Sequence, residues 1–112
     1  MMLMRDGTLF ENYLETTKSR VFKILPLLEE KNEGIFRYID SLLFELYGIQ
    51  YVVQDIKDST PYLSVLATLE SILDETIVET KDFKFIRSEI FKTITLIERL
   101  QKGEWYELYR HV

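Results

Sequence analysis

A run of apolar residues in the second quarter of the chain constrains the fold more than any other feature. Its members recur at alternating steps of four and three residues: Ile35, Ile39, Leu42, Leu46, Ile49, Val53 and Ile56. This heptad spacing places all of them on one side of an α-helix, where they can pack against neighbouring helices. The run predicts a helix over residues 35–57. We expect it to continue through Gly48, at a cost of about 1 kcal/mol in helix propensity.

Three further runs show apolar residues at helical spacing. They predict helices over residues 8–31, 61–79 and 83–102. Pro26 has no backbone N–H, so we expect it to kink the first of these helices or to restart it near Leu25. No segment alternates in the manner of a β-strand. The sequence therefore predicts an all-α protein, an antiparallel four-helix bundle with short loops between neighbouring helices.

Short polar segments separate the predicted helices and supply residues that favour helix ends. Ser59 or Thr60 is a candidate N-cap, because Pro61 follows and suits the first helical position. Asp82 is a candidate N-cap for the last helix. Gly103 is a typical C-terminal stop. These residues predict where the third helix begins and where the fourth begins and ends.

The two ends of the chain are expected to lie outside the helical bundle. Residues 1–7 are predicted to be flexible, and Met4 is a candidate start, because all three methionines lie among the first four positions. Residues 104–112 predict a short tail helix. Trp105, the one tryptophan, is either part of a lid over the bundle end or part of a docking segment. The 112 residues are expected to form a single domain.

Composition excludes several kinds of chemistry. The chain has no cysteine, and its one histidine is His111, which excludes thiolate sites, multi-histidine metal sites and Ser-His-Asp catalysis. The formal net charge of -5 opposes binding to a phosphate backbone. No apolar stretch approaches the ~18 residues of a transmembrane helix. We therefore expect a cytoplasmic protein with no cofactor, no nucleic-acid partner and no membrane partner.

The third predicted helix and the residues around it are strongly acidic. Between residues 58 and 80 there is no Lys or Arg, and there are five acids: Asp58, Glu70, Asp74, Glu75 and Glu79. Acids four residues apart on a helix repel each other, so some positive charge is expected nearby. One source is the last helix, which carries Lys84, Arg87, Lys92 and Arg99. The other source is a partner protein with a basic patch.

The second predicted helix carries a further apolar stripe beside its heptad run. The members of this stripe are Phe36, Leu43, Phe44, Tyr47 and Tyr51. A bundle helix needs one apolar stripe, so this helix is either central or part of a second interface, such as a homodimer. The residues predicted to contact a partner are Phe36, Phe44, Tyr47, Tyr51, Tyr62, Glu70, Asp74 and Trp105. Tyr62 is included as an aromatic anchor beside the acidic helix.

An enzymatic alternative rests on carboxylates. Glu29, Glu30 and Glu33 form an EExxE string. Such a string, with a later ExxD pair, holds Mg²⁺ in all-helical nucleotide pyrophosphohydrolases, and oxygen ligands suit this metal. The later pair here, Glu70 and Asp74, has ExxxD spacing instead. The two interpretations of the string are thus a Mg²⁺-dependent hydrolase site and a solvated helix end.

Two parts of the chain have a family resemblance: residues 12–18 with Leu28, Glu29 and Glu30, and residues 85–89. With them, the chain resembles small helical proteins carried by phages and by phage-dependent chromosomal islands of low-GC Gram-positive bacteria. The resemblance implies a stoichiometric binder that inhibits or modulates a phage or host protein. The chain is also similar in length and character to bacteriocin immunity proteins. The leading hypothesis is a non-enzymatic protein–protein interaction module whose partner has a basic patch.

Overall fold

The computed structural model of the protein describes residues 7–53 and 55–104. Within these residues the α-helices are Gly7–Phe22 (α1), Ile24–Glu29 (α2), Ile35–Ile49 (α3), Thr60–Thr76 (α4) and Phe83–Gln101 (α5). A short 3₁₀-helix, Ile56–Asp58, precedes α4. The predicted all-α class is confirmed, and the described residues contain no β-strand. The predicted tail helix and Trp105 lie outside them.

The first predicted helix is two helices, α1 and α2, separated at Lys23. An unbroken helix would need the amide of Pro26 to donate to the carbonyl of Phe22, and proline has no such donor. The break therefore falls three residues before the proline, close to the expected restart. Helix α2 ends in a turn in which Asn32 N donates to Leu27 O at 3.0 Å, while Lys31 adopts a positive φ of 55°.

Helix α3 ends at Ile49, so the prediction of an unbroken helix over residues 35–57 is wrong. Gly48 lies in the last turn, and tighter turn bonds follow it, such as Tyr51 N to Gly48 O at 3.0 Å. The low helix propensity of glycine explains why the helix stops here. Val53 and Ile56 remain buried nonetheless. The heptad run therefore predicted which side chains enter the core beyond the point where the helix itself ends.

The boundaries of α4 and α5 follow their capping residues. Ser59 Oγ accepts from Tyr62 N at 3.3 Å, and Asp82 Oδ1 accepts from Phe85 N at 3.0 Å, so both predicted N-caps are confirmed. Helix α4 stops at Thr76, three residues before its predicted end at residue 79. Ile77, which lies within the predicted helix but beyond the observed one, is 67% exposed.

The four long helices pack side by side with their neighbours antiparallel. Contacts of α1 and α2 with α5 show the direction: Gln101 Nε2 donates to Glu15 Oε1 of α1 at 2.9 Å, and Arg87 meets Glu29 of α2 at the opposite end of α5. Helix α4 packs against α5 on one side and α3 on the other, and α5 in turn packs against both α4 and α1. All four helices contribute to one apolar core. Its largest fully buried aliphatic residues are Leu14, Ile24, Ile39, Leu42, Leu46, Ile56, Leu69, Ile72, Ile86, Ile90 and Ile97.

Candidate partner-binding face

A groove of about 540 Å³ runs along the outer surface between α3 and α4, and we call it the α3–α4 face. Its lining residues are Asp40, Ser41, Leu43, Phe44, Tyr47, Glu70, Leu73 and Asp74. The face therefore contains four of the eight residues predicted to contact a partner. Two stripes that are far apart in sequence, one aromatic and one acidic, meet here because the helices are antiparallel neighbours.

The aromatic side chains of this face are unusually exposed. Phe44 is 82% accessible to solvent and Tyr47 is 40% accessible. Leu43, which forms part of the floor, is only 4% exposed. Exposed phenylalanine in a groove with a buried apolar floor is typical of surfaces that bind another protein.

The acids of the face come from both helices. Asp40 is on α3, while Glu70 and Asp74 are on α4, four residues apart and therefore on the same side of that helix. In the part of the chain that the structure describes, no salt bridge involves any of these three residues. The basic residues of α5 pair elsewhere: Arg87 with Glu29 at 3.7 Å, and Lys92 with Glu89 at 3.1 Å. The interpretation that the last helix compensates the acidic stretch is thus not supported for these two bases.

One polar contact crosses the groove. The Tyr47 hydroxyl donates a hydrogen bond to the Glu70 carboxylate. Because this bond favours the protonated phenol, it raises the pKa of Tyr47. The Tyr47 phenol therefore stays protonated at physiological pH, and its hydrogen bond joins the two walls of the groove.

The opposite flank of α3, which faces α1, has a polar network that is complete within the protein. Glu45 Oε2 accepts from Tyr13 Oη at 2.5 Å and from Arg20 Nη1 at 2.7 Å. Tyr38 Oη donates to the carbonyl oxygen of Arg20 at 2.8 Å. The hydrogen bond from the Arg20 guanidinium lowers the pKa of Glu45, with the Tyr13 hydroxyl adding to the effect. This acid, unlike those of the α3–α4 face, has its counter-charge in the fold.

A second cavity, of about 610 Å³, is separate from the groove and is lined by residues near the start of α3 and the end of α4. Phe36 lines it from α3, Thr76 lines it from the end of α4, and Glu79 lines it from the loop that follows α4. Phe36 is thus near the α3–α4 face but is not part of it. Tyr51, 77% exposed, lies in the turn beyond the end of α3.

The prediction that Tyr62 anchors a partner is wrong, because its side chain is 1% exposed and belongs to the core. Its hydroxyl donates to the carbonyl oxygen of Leu46 at 2.5 Å. Burial raises the pKa of Tyr62, so the hydroxyl remains a donor. The apolar pattern of α4 contained the signal: Tyr62, Leu66 and Leu69 are spaced to share one helix face, and that face is buried.

The carboxylates of the hydrolase alternative do not come together. Glu70 and Asp74 line the α3–α4 face, to which none of the three N-terminal acids contributes. Glu29 instead pairs with Arg87. Over residues 7–53 and 55–104 no group of three or more His, Cys, Asp or Glu side chains is arranged to hold a metal ion. The EExxE string is found at the end of α2 and in the turn that follows it.

Sequence reasoning missed Asp40 and the floor residue Leu73. Asp40 lies four residues from both Phe36 and Phe44, so its helical spacing placed it within the aromatic stripe. Its charge excluded it from a search for apolar residues. An acid at a stripe position is itself a signal, because it shows that the stripe is not core.

Comparison of the chain with protein-family models, with curated proteins and with solved structures gives no match. A search of the described helices for a membrane-spanning segment finds none of sufficient length and apolarity.

Proposed function

We propose that this protein is a non-enzymatic protein-interaction module that binds a basic partner through the α3–α4 face. The observation that carries the proposal is the meeting of the aromatic and acidic stripes in one groove. The exposed ring of Phe44 supplies apolar area, which is the main source of affinity in protein interfaces. Asp40, Glu70 and Asp74 supply negative charge that selects a basic surface and accelerates its approach.

Self-association through the same face is less favourable on electrostatic grounds. A twofold dimer places the same patch of both subunits in contact. It would bring Asp40, Glu70 and Asp74 of one copy towards the same acids of the other, with no base in the groove lining to separate them. A foreign protein with Lys or Arg around an apolar patch meets no such repulsion. The resemblance to phage proteins implies stoichiometric binding of this kind, as an inhibitor or modulator.

Site-specific photo-cross-linking tests the proposal. A photo-reactive amino acid is introduced at Ser41, which is exposed and lines the face, and in a control protein at Ser88, which is exposed on α5. Both proteins are irradiated in an extract of the cells in which the protein is naturally made. We expect a discrete heavier adduct from position 41 and not from position 88. The adduct should disappear when Asp74→Lys is added.

An adduct that forms equally at both positions, or one that survives Asp74→Lys, would contradict the proposal. Glu30→Lys is the matched charge control, because Glu30 is exposed at the end of α2 and lines neither cavity of the α3–α4 side. It changes net charge by the same amount and should leave the adduct intact.

A further inference from the structure

The α3–α4 face lies between two helices whose backbone groups are already hydrogen-bonded. Unlike the edge of a β-sheet, a helix pair offers no row of free N–H and C=O groups to an incoming chain. An extended segment would leave its own backbone without protein partners along the groove. A helix satisfies its backbone internally and presents only side chains. The groove therefore favours a helical occupant over an extended one.

The length and chemistry of the groove define this occupant further. From Asp40 to Tyr47 the α3 wall of the groove spans about 10 Å, which matches two turns of a helix. Leu43 and Leu73 line the groove between the two walls. Asp40 belongs to the α3 wall, and Glu70 and Asp74 belong to the α4 wall. A helix that fits has apolar residues along one stripe and bases on both sides of that stripe.

We infer that the α3–α4 face binds a single amphipathic helix of a partner protein, with Lys or Arg flanking its apolar stripe on both sides. The inference rests on the proposed function and specifies the partner. The helix packs between α3 and α4 as a further member of the bundle, with its apolar residues on Leu43, Phe44 and Leu73. Its bases reach Asp40 on one wall and Asp74 on the other.

Three synthetic peptides of about 14 residues, enough for four helical turns, test the inference. The first places Leu at helical spacing, flanked by Lys on both sides. The second has the same composition with Leu and Lys alternating, as in a strand. The third keeps the first pattern with Glu in place of Lys. Binding to the full-length protein is measured by fluorescence polarisation, and helix formation by circular dichroism.

We expect the first peptide to bind saturably and to become helical, and the other two to bind at least about tenfold more weakly. Phe44→Ala and Asp74→Lys should each lower the affinity for the first peptide by roughly tenfold. The controls Phe91→Ala and Glu30→Lys should leave this affinity unchanged, because both residues are exposed elsewhere on the surface. Equal binding of the alternating peptide, or equal effects of the control variants, would overturn the inference.

The inference and the proposed function fail in different ways. One outcome is that the first peptide does not bind while the position-41 adduct still forms and still depends on Asp74. In that case the inference of a helical partner is wrong, and the proposed function of the α3–α4 face is retained. If neither peptide binding nor the adduct is observed, the assignment of partner binding to the α3–α4 face is wrong. Sedimentation that shows a wild-type dimer, dissociated by Phe44→Glu, would assign the face to a second copy of this chain and would overturn the inference.

Discussion

The two polar flanks of helix α3 differ in whether their acidic residues are paired with a base within the protein. On the flank towards α1, Glu45 is bound by Arg20 and Tyr13, so its charge is compensated within the fold. On the flank towards α4, Asp40 and Phe44 face solvent and none of the described salt bridges reaches the acids of the groove. The two flanks have similar residue types, so composition does not distinguish them. On the flank towards α1 the acid is paired within the fold, and the proposed function assigns partner binding to the flank towards α4.

The largest effect is expected where α3 enters the core. Ile39 is fully buried, and Ile39→Ala should lower the free energy of unfolding by about 2–5 kcal/mol, because it removes apolar contacts and leaves a cavity. Phe44→Ala on the same helix should change it by less than about 0.5 kcal/mol, since the ring is largely in solvent. Urea unfolding followed by circular dichroism measures both. A large loss in Phe44→Ala would show that this ring supports the fold.

A smaller effect is expected on the compensated flank. Glu45→Ala removes the acceptor of both Arg20 and Tyr13 and should cost about 1 kcal/mol, a value kept low because the ion pair is partly exposed to solvent. Asp40→Ala, on the other flank, is the matched control and should be neutral within about 0.5 kcal/mol. Equal losses in the two variants would remove the distinction between the flanks.

The last turn of α3 offers a stabilising change. A Cβ added at Gly48 meets no heavy atom within 4 Å. Gly48→Ala should therefore raise the free energy of unfolding by about 0.5 kcal/mol through helix propensity alone. The midpoint of thermal unfolding should shift to a higher temperature, and the helical signal in circular dichroism should increase slightly. A decrease would show that the chain needs glycine at this position to leave the helix.

The smallest effect concerns pH. The pKa of Glu45 is lowered in the folded protein, so this carboxylate stabilises the fold above its unfolded pKa and loses that contribution as pH falls through the folded value. Between neutral pH and about pH 3, the stability of the wild type should fall more than that of Glu45→Gln. Parallel curves for wild type and Glu45→Gln would contradict the assignment.

The sequence predicted the fold better than the site. Helical spacing identified every long helix, and Ser59 and Asp82 were found as caps because capping depends on local chemistry. The early end of α3 was missed, because the heptad run records burial and Val53 is buried without being helical. Sequence reasoning found Phe44 and Glu70 separately. Their proximity depends on tertiary packing between α3 and α4, which no local pattern encodes.

Tyr62 and Phe44 show why exposure could not be predicted residue by residue. Both are aromatic and both lie beside an apolar run, yet one is fully buried and the other is 82% exposed. The difference arises because neighbouring helices cover the side of α4 that carries Tyr62 and leave open the side of α3 that carries Phe44. The spacing of Tyr62 with Leu66 and Leu69 indicated the buried face of α4, whereas the exposure of Phe44 depends on how α4 packs against α3.

Two adjacent residues, Phe44 and Glu45, allow the central claim to be tested in one experiment. Phe44→Ala and Glu45→Ala are each prepared with the photo-reactive residue at Ser41, and unfolding free energy and adduct yield are measured for both proteins below their unfolding transitions. We predict that Phe44→Ala keeps its stability and loses the adduct, while Glu45→Ala loses stability and keeps the adduct. An adduct retained in Phe44→Ala, or lost in a folded Glu45→Ala, would contradict the division of α3 into a stabilising flank and a binding flank.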